Sequence, residues 1–442
     1  MIRVLCSAAL MAGLALPALA DVEIREVTSP GGIKAWLVED HTLPFVSVQM
    51  AFRGGASLDQ DGKRGAVNLM AGMLEEGCTQ DDGAALTSQG FAEAREALAA
   101  GMSFDASDDT VSVSAKMLTE NRDEAAALLH CALAKPAFGA EALERVRGQV
   151  LSGIQSDAVD PEALAAKAFD ALAFGDHPYA TPISGTEDSV TGLTAADLQA
   201  AKDRTMARDR IVVSAAGDIS AEDLGKLIDR LVGDLPATGA EMPGRAPMDL
   251  TGGVTIVPFD TPQSVVMFGE KGMKRDDPDF FAAYVLNQIM GGGGFSSRLM
   301  EEVREKRGLT YGAYSYVVPR DHQETWQGSF SSSNEKVAEA VGVVRDVWAD
   351  IAKNGVTEAE LAAAKTYLLG SYPLRFDGNA NIANILLGMQ LDHLTPDYLK
   401  TRDGEIEAVS LEDIKRVAAE YIDPARLRFV VAGQPVGLEA SN

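Results

Sequence analysis

The sequence predicts an α+β protein made of two tandem homologous domains, each a mostly antiparallel sheet packed with helices. Three observations predict it. A set of chain elements recurs about 216 residues later, strand patterns give way to long amphipathic helices within each copy, and a proline- and glycine-rich stretch separates the copies.

The recurrence can be followed element by element. Thr194-Ala195-Ala196-Asp197 and Ser410-Leu411-Glu412-Asp413 both carry the hydroxyl-x-x-acid pattern that closes the first turn of a helix, 216 positions apart. A strand ending in glycine follows each helix at the same offset, Ile211 to Gly217 and Leu427 to Gly433. Upstream, Thr110 to Asn121 matches Thr325 to Asn334, and the helix pattern from Gly139 to Ile154 matches that from Val356 to Tyr372. Strands opening at Val46 and Ser264 each lead through glycine into a helix. The first such helix, Ala66 to Glu76, is apolar almost all round and is expected to be deeply buried. Its counterpart, Phe280 to Met290, runs into four glycines. Pro236, Pro243 and Pro247 make residues 235–253 a linker, leaving domains at 21–234 and 254–442.

Residues 1–20 read as a secretory signal peptide: Arg3, an apolar run from Val4 to Leu16 too short for a bilayer, then Ala18-Leu19-Ala20 as a cleavage site. The mature chain is therefore expected in the periplasm. Without Arg3, 38 basic residues face 65 acidic ones, a net charge of −27. Such a chain repels nucleic acid and anionic lipid, and no later apolar run is long enough for a membrane span. The charge either solvates a large surface or draws in basic peptides. Cys6 leaves with the signal; export permits a disulfide between Cys78 and Cys131, two buried thiols being the alternative.

The stretch from Met290 to Val318 carries the strongest chemical pattern. Gly291, Gly292, Gly293 and Gly294 allow a bend or a close approach. Ser296 or Ser297 can cap a short helix with Leu299 and Val303 on one face, an Arg298–Glu302 ion pair, and Gly308 at its end. A strand from Leu309 to Val318 is expected next, with Tyr311, Tyr314 and Tyr316 on it. Arg304 and Tyr311 are both donors, and two donors aimed at one point suit an acceptor that gains negative charge. The glycines are no nucleotide loop, because Phe295, Ser296 and Ser297 follow where Lys and Ser or Thr are required. Taken alone, the same residues also suit an ordinary surface loop.

Several motifs now combine: G-A-x-x-L-x-x-x-M-L-E-E-G from Gly65 to Gly77, His177-Pro178-Tyr179 followed by Pro182 and Gly185, and SRLMEEVREKRGLTY from Ser297 to Tyr311. With the tandem halves they resemble the pitrilysin/insulinase family, in its short two-domain processing-peptidase branch, over nearly the whole mature chain. The resemblance implies two halves enclosing a chamber. Active members carry HxxEH on the first-half helix: two His bind Zn²⁺, the Glu activates water, and a distant Glu is the third ligand. Laid on that pattern, Asn68 and Gly72 stand for the histidines, Ala71 for the catalytic Glu and Gly153 for the distant one. None can replace its counterpart. Independently, His41, His130, His177, His322 and His393 include no pair three or four residues apart, so no helix presents two to a metal. No G-x-S-x-G supplies another nucleophile.

The resemblance further implies that Arg304 and Tyr311 contact substrate and stabilise the oxyanion, and that Gly291 to Gly294 line the mouth of the chamber as a substrate-binding loop. The expectation is a chain with no zinc of its own, paired as a heterodimer with a homologous HxxEH-bearing peptidase subunit that carries the zinc and acts on peptides. A catalytically inert peptide-binding or scaffold protein of the same fold is the alternative.

Overall fold

The computed structural model describes residues 23–441. The signal peptide expected at 1–20 lies outside the described residues.

In the first half, β1 (Arg25–Thr28), β2 (Lys34–Glu39), β3 (Phe45–Arg53), β6 (Gly101–Ala106), β7 (Thr110–Leu118) and β8 (Ile211–Gly217) form one sheet, while β4 (Gly77–Thr79) and β5 (Ala85–Thr87) make a small hairpin. The second half supplies β9 (Gly253–Pro258), β10 (Gln263–Lys271), β11 (Ala313–Pro319), β12 (Glu324–Ser333) and β13 (Arg428–Gly433). The first sheet runs β1-β2-β8-β3-β7-β6, and the second runs β9-β13-β10-β12-β11. Without β1 the two orders are the same, down to the one parallel pair in each, β2 with β8 and β9 with β13. The fold is the α+β plan expected, used twice.

Matching residues do matching work. Gly217 and Gly433 end the two central strands at positive φ, and a Cβ there would stand 2.3 Å from Phe45 O or 2.9 Å from Ser264 Cα. Both capping boxes form, Thr194 with Asp197 and Ser410 with Asp413. Strand β7 alternates as a half-buried strand should, sending Val111, Val113, Ala115 and Met117 into the core. That core joins β3 to the helix Ala66–Met73, whose Val67, Leu69, Met70 and Met73 are fully buried. The helix ends three residues earlier than its apolar run suggests. A Cys78–Cys131 disulfide ties β4 to the helix Arg122–Ala134, so the two cysteines are bonded rather than free thiols.

The other face of each sheet is covered by the opposite half. Helix Pro161–Phe174, from the first half, lies on β10 and β13, burying Phe169 and Phe174 against Val430 and Ala432. A Cβ at Gly269 would sit 2.7 Å from Phe169 Cζ, so β10 carries glycine where that ring arrives. In return, helix Asn379–Leu391 lies on β2, β3 and β8, packing Ala383, Leu386 and Met389 on Trp36, Val38 and Ala216. Ser214 Oγ donates to Ala383 O at 2.6 Å, and Gln390 Nε2 donates to Val213 O at 2.9 Å.

Residues 235–252 hold no helix or strand, yet they are tied down between the halves. Ala246 N donates to His322 O, Asp249 N to Ala173 O, and Gln323 Nε2 to Ala246 O, at 2.8 to 3.1 Å. The junction also holds Tyr179, whose hydroxyl bonds Asp109 and accepts from His322 N, and the Arg53–Asp321 ion pair.

Each half alone would expose one apolar sheet face and one unpartnered apolar helix. Expressed separately, fragments 23–252 and 253–441 are expected to aggregate or bind a hydrophobic dye, and to yield a soluble 1:1 complex when co-expressed. A monomeric fragment with cooperative thermal unfolding would contradict the exchange as a stability requirement.

Candidate functional site

The helix that carries the zinc-motif positions starts on a buried carboxylate. Asp59 accepts from Gly65 N and Val67 N, both at 2.9 Å, with Arg64 at 3.5 Å. Burial pushes its carboxyl up to about 6 against the opposing pull of those donors. On the helix Ala66–Met73, Asn68 is half-buried and Gly72 exposed, one turn apart, while Ala71 is turned into the core. A Cβ at Gly72 would touch Val146 Cγ1 at 3.4 Å, on the helix Ala140–Asp157.

The expected fourth position is corrected by this register. Gly153 stands seven residues beyond Val146, about 10 Å along the helix axis. It is exposed, with nothing within 4 Å of a built Cβ. The structure brings together Asn68, Ala71 and Gly72, and puts Val146 rather than Gly153 beside them. An amide, two apolar side chains and a glycine offer no donor set suited to zinc. Among the described residues no group of three His, Cys, Asp or Glu could hold a metal ion.

In the second half the helix Phe280–Asn287 does not give way to an open loop. It continues as a π-helical turn, Gln288–Gly292, followed by a 3-10 turn, Gly294–Ser296. Gly291 is buried, and a Cβ on it would lie 2.5 Å from Ser315 N in β11. Those on Gly292 and Gly293 would meet Asn287 Nδ2 at 2.8 Å and Gln288 O at 2.6 Å. The run is therefore needed for close packing, which corrects the reading of Gly291 to Gly293 as a loop. Gly294, at φ +56°, is where the chain turns out of the helix. Asn287 locks the helix to the sheet, donating to Ser315 O and accepting from Ser315 Oγ and Trp326 Nε1.

Beyond it, Met300–Glu305 is π-wound, and Arg298 lies before its first residue. Arg298 accordingly does not pair with Glu302. It grips Glu360 at 2.6 and 2.9 Å and Asp350 at 2.8 Å, while Glu302 pairs with Lys306 and Arg307. The Arg298 guanidinium is the main reason that the Glu360 carboxyl falls to about 2. Gly308, at φ +60°, ends the segment, its N–H donating to Arg304 O while Leu309 N–H donates to Val303 O. Strand β11 starts at Ala313 rather than Leu309 because Thr310 closes a turn on Gly312 in both directions.

These constraints set Arg304 and Tyr311 in the wall of one open cavity of about 490 Å³, with Gln263, Ser331, Ser333 and Lys336. The guanidinium of Arg304 lies 4.5 Å from the Phe295 ring. Its Nη1 is buried and makes no hydrogen bond; Glu305 Oε1 is 3.4 Å away without aligning for one. Tyr311 is 87% exposed, so its phenol is open to a ligand. The sequence did not single out Phe295 or Lys336. Their only signal is an aromatic ring beside the glycines and a basic residue just past β12.

The first half thus presents a helix whose zinc-motif positions carry no metal donors, and the second a cavity lined by hydrogen-bond donors. Residues 192–368 match the family model described as peptidase M16 inactive domain. The chain is 30% identical to a crystallised peptidase M16 inactive domain from Pseudomonas fluorescens, with a TM-score of 0.87 over 95% of this chain and 100% of that one. It is 28% identical over 420 residues, 95% of each chain, to the non-peptidase homolog YmxG of Helicobacter pylori. Identity to the probable mitochondrial-processing peptidase subunit beta of Schizosaccharomyces pombe is 28% over 335 residues, 71% of each. The chain belongs to the peptidase M16 family, that of pitrilysin and insulinase.

Arg298 anchors the segment that carries Arg304, and its loss is expected to show in acid. Glu360 has a folded-state pKa below its unfolded one, so its contribution is complete above about pH 4.5 and is lost as pH falls toward 2. Arg298→Met should lower stability to urea at pH 7 by about 1–3 kcal/mol. It should also flatten the parent's loss of stability between pH 4.5 and 2. Parallel pH profiles for both proteins would contradict the anchor.

Proposed function

We propose that this chain is the zinc-free subunit of a two-chain M16-type peptidase. A homologous partner bearing HxxEH supplies the metal, the water and the general base. This chain supplies substrate-binding donors from its second half. The observation that carries the reading is that the partly exposed Arg304 side chain and the exposed Tyr311 phenol share one cavity wall. Arg304 makes no side-chain hydrogen bond through Nη1 and has only the exposed Glu305 as an ion-pair neighbour, so its guanidinium is open to exchange that contact for a ligand acceptor. The oxygen of a carbonyl under attack gains charge, and fixed donors stabilise it more than the ground state.

Further facts support it. The zinc-motif helix carries no donors suited to the metal, so chemistry at this chain's own helix has no base. A relative of similar length is called a non-peptidase homolog, and another is called a subunit. The Cys78–Cys131 disulfide suits an exported, periplasmic protein. No helix among the described residues is long and apolar enough to cross a membrane.

Mixed with the zinc-bearing partner, Arg304→Ala and Tyr311→Phe are each expected to reduce peptide turnover on the order of 10²-fold, with circular dichroism unchanged. Parental rates from both variants in the mixture would refute the assignment of these two side chains.

A further inference from the structure

The cavity that holds Arg304 and Tyr311 contains more than an oxyanion clamp requires. A second cation, Lys336, stands on its rim, on the turn after β12. Its Nζ donates to Gly308 O at 3.2 Å, which leaves two of its three hydrogens for a ligand. Ser331, exposed on β12, adds a hydroxyl to the same wall. The surrounding loop is held rigid: Ser332 Oγ donates to Leu309 O at 2.5 Å, beside the Val303 and Arg304 carbonyl bonds that end the preceding helical segment. The guanidinium, ammonium and hydroxyls thus line an open volume of about 490 Å³, far more than a single carbonyl oxygen fills. Glu305 is the one acid in the wall, and it already lies against Arg304.

We propose that this cavity binds a carboxylate of an extended peptide, Arg304 and Lys336 taking its two oxygens from opposite sides. The source of the carboxylate is either the C-terminus of the peptide or an Asp or Glu side chain. The proposal deepens the preceding reading and rests on this cavity being where substrate sits. The chain as a whole is strongly acidic, with 65 acids against 39 bases, but at physiological salt a charge is felt over only about 8 Å. Within that range the wall carries two cations and one acid, a net positive charge. Charge-assisted hydrogen bonds to a fixed guanidinium give a carboxylate the advantage over a neutral amide of the same shape.

The test is equilibrium binding by the full chain, without any partner, followed by fluorescence anisotropy. Three probes are used: a fluorescein-labelled alanine-rich hexapeptide as the free acid, the same peptide as the C-terminal amide, and the amide with one internal Glu. The free acid is expected to bind about tenfold or more tightly than the amide, and Lys336→Met and Arg304→Ala should each erase most of that difference. If the internal Glu restores the affinity of the amide, a side-chain carboxylate serves as well as the chain end; if it does not, the site takes the chain end alone. Equal affinity for all three probes would overturn the proposal, as would a preference for the acid that survives both substitutions. Either result can occur while Arg304→Ala still cripples turnover with a partner, in which case the carboxylate site fails and the oxyanion role stands. The reverse pattern, a lost turnover effect with the acid preference kept, removes the oxyanion role alone.

Discussion

The exchange of helices between the two sheets is the constraint on which the rest of the structure depends. Phe169 and Phe174 of the first half complete the core of the second sheet, and Leu386 and Met389 of the second half cover the first. Fully burying side chains of this size contributes about 1.5–3 kcal/mol each, so neither sheet is satisfied by its own half. Two halves held in this way behave as one body at the junction, where Tyr179, Asp109 and His322 join across a buried hydrogen-bonded network. A cavity in one half and a helix in the other then keep a fixed relation without needing a ligand to set it.

Within that frame the duplicated plan has been put to unequal use. The first-half helix keeps its core face, with Val67, Leu69, Met70 and Met73 buried, and offers only Asn68 and a glycine on the side where ligands would stand. The second-half helix is extended by a π-turn whose glycines let it lie against β11, and this positions the next segment so that Arg304 and Tyr311 share a wall. On one helix packing is kept with no metal donor beside it; on the other, packing places Arg304 and Tyr311 in one cavity wall. π-wound turns are rare, and those that occur lie frequently at functional sites.

Much of this was legible in the residues. The 216-residue recurrence marked the repeated plan, though not its strand order, because capping boxes and strand-ending glycines are local signals that mark the same points in each copy. The Arg304 and Tyr311 pairing was also visible, since seven residues and a helix-ending glycine suffice to bring two side chains to one place. What could not be read was anything set by distant packing. Arg298 chose Glu360, 62 residues away, over Glu302, and Lys336 entered the cavity from the far end of a hairpin. The glycines looked like a loop because the residue that forbids a side chain at Gly291, Ser315, lies on a strand that follows later. The helix exchange left no sequence signal, as an apolar helix reads the same whichever sheet it covers. Gly153 was misplaced by two helical turns for a related reason, that a register between helices is fixed by their contact, here Val146 on Gly72.

The account turns on a chain that binds substrate but carries no metal. Its most direct test is elemental analysis of the purified single polypeptide, after exposure to excess zinc and gel filtration, together with hydrolysis of a quenched fluorescent peptide. The account predicts far less than one zinc per chain and no cleavage above background. One tightly held zinc per chain with chelator-sensitive proteolysis would contradict it.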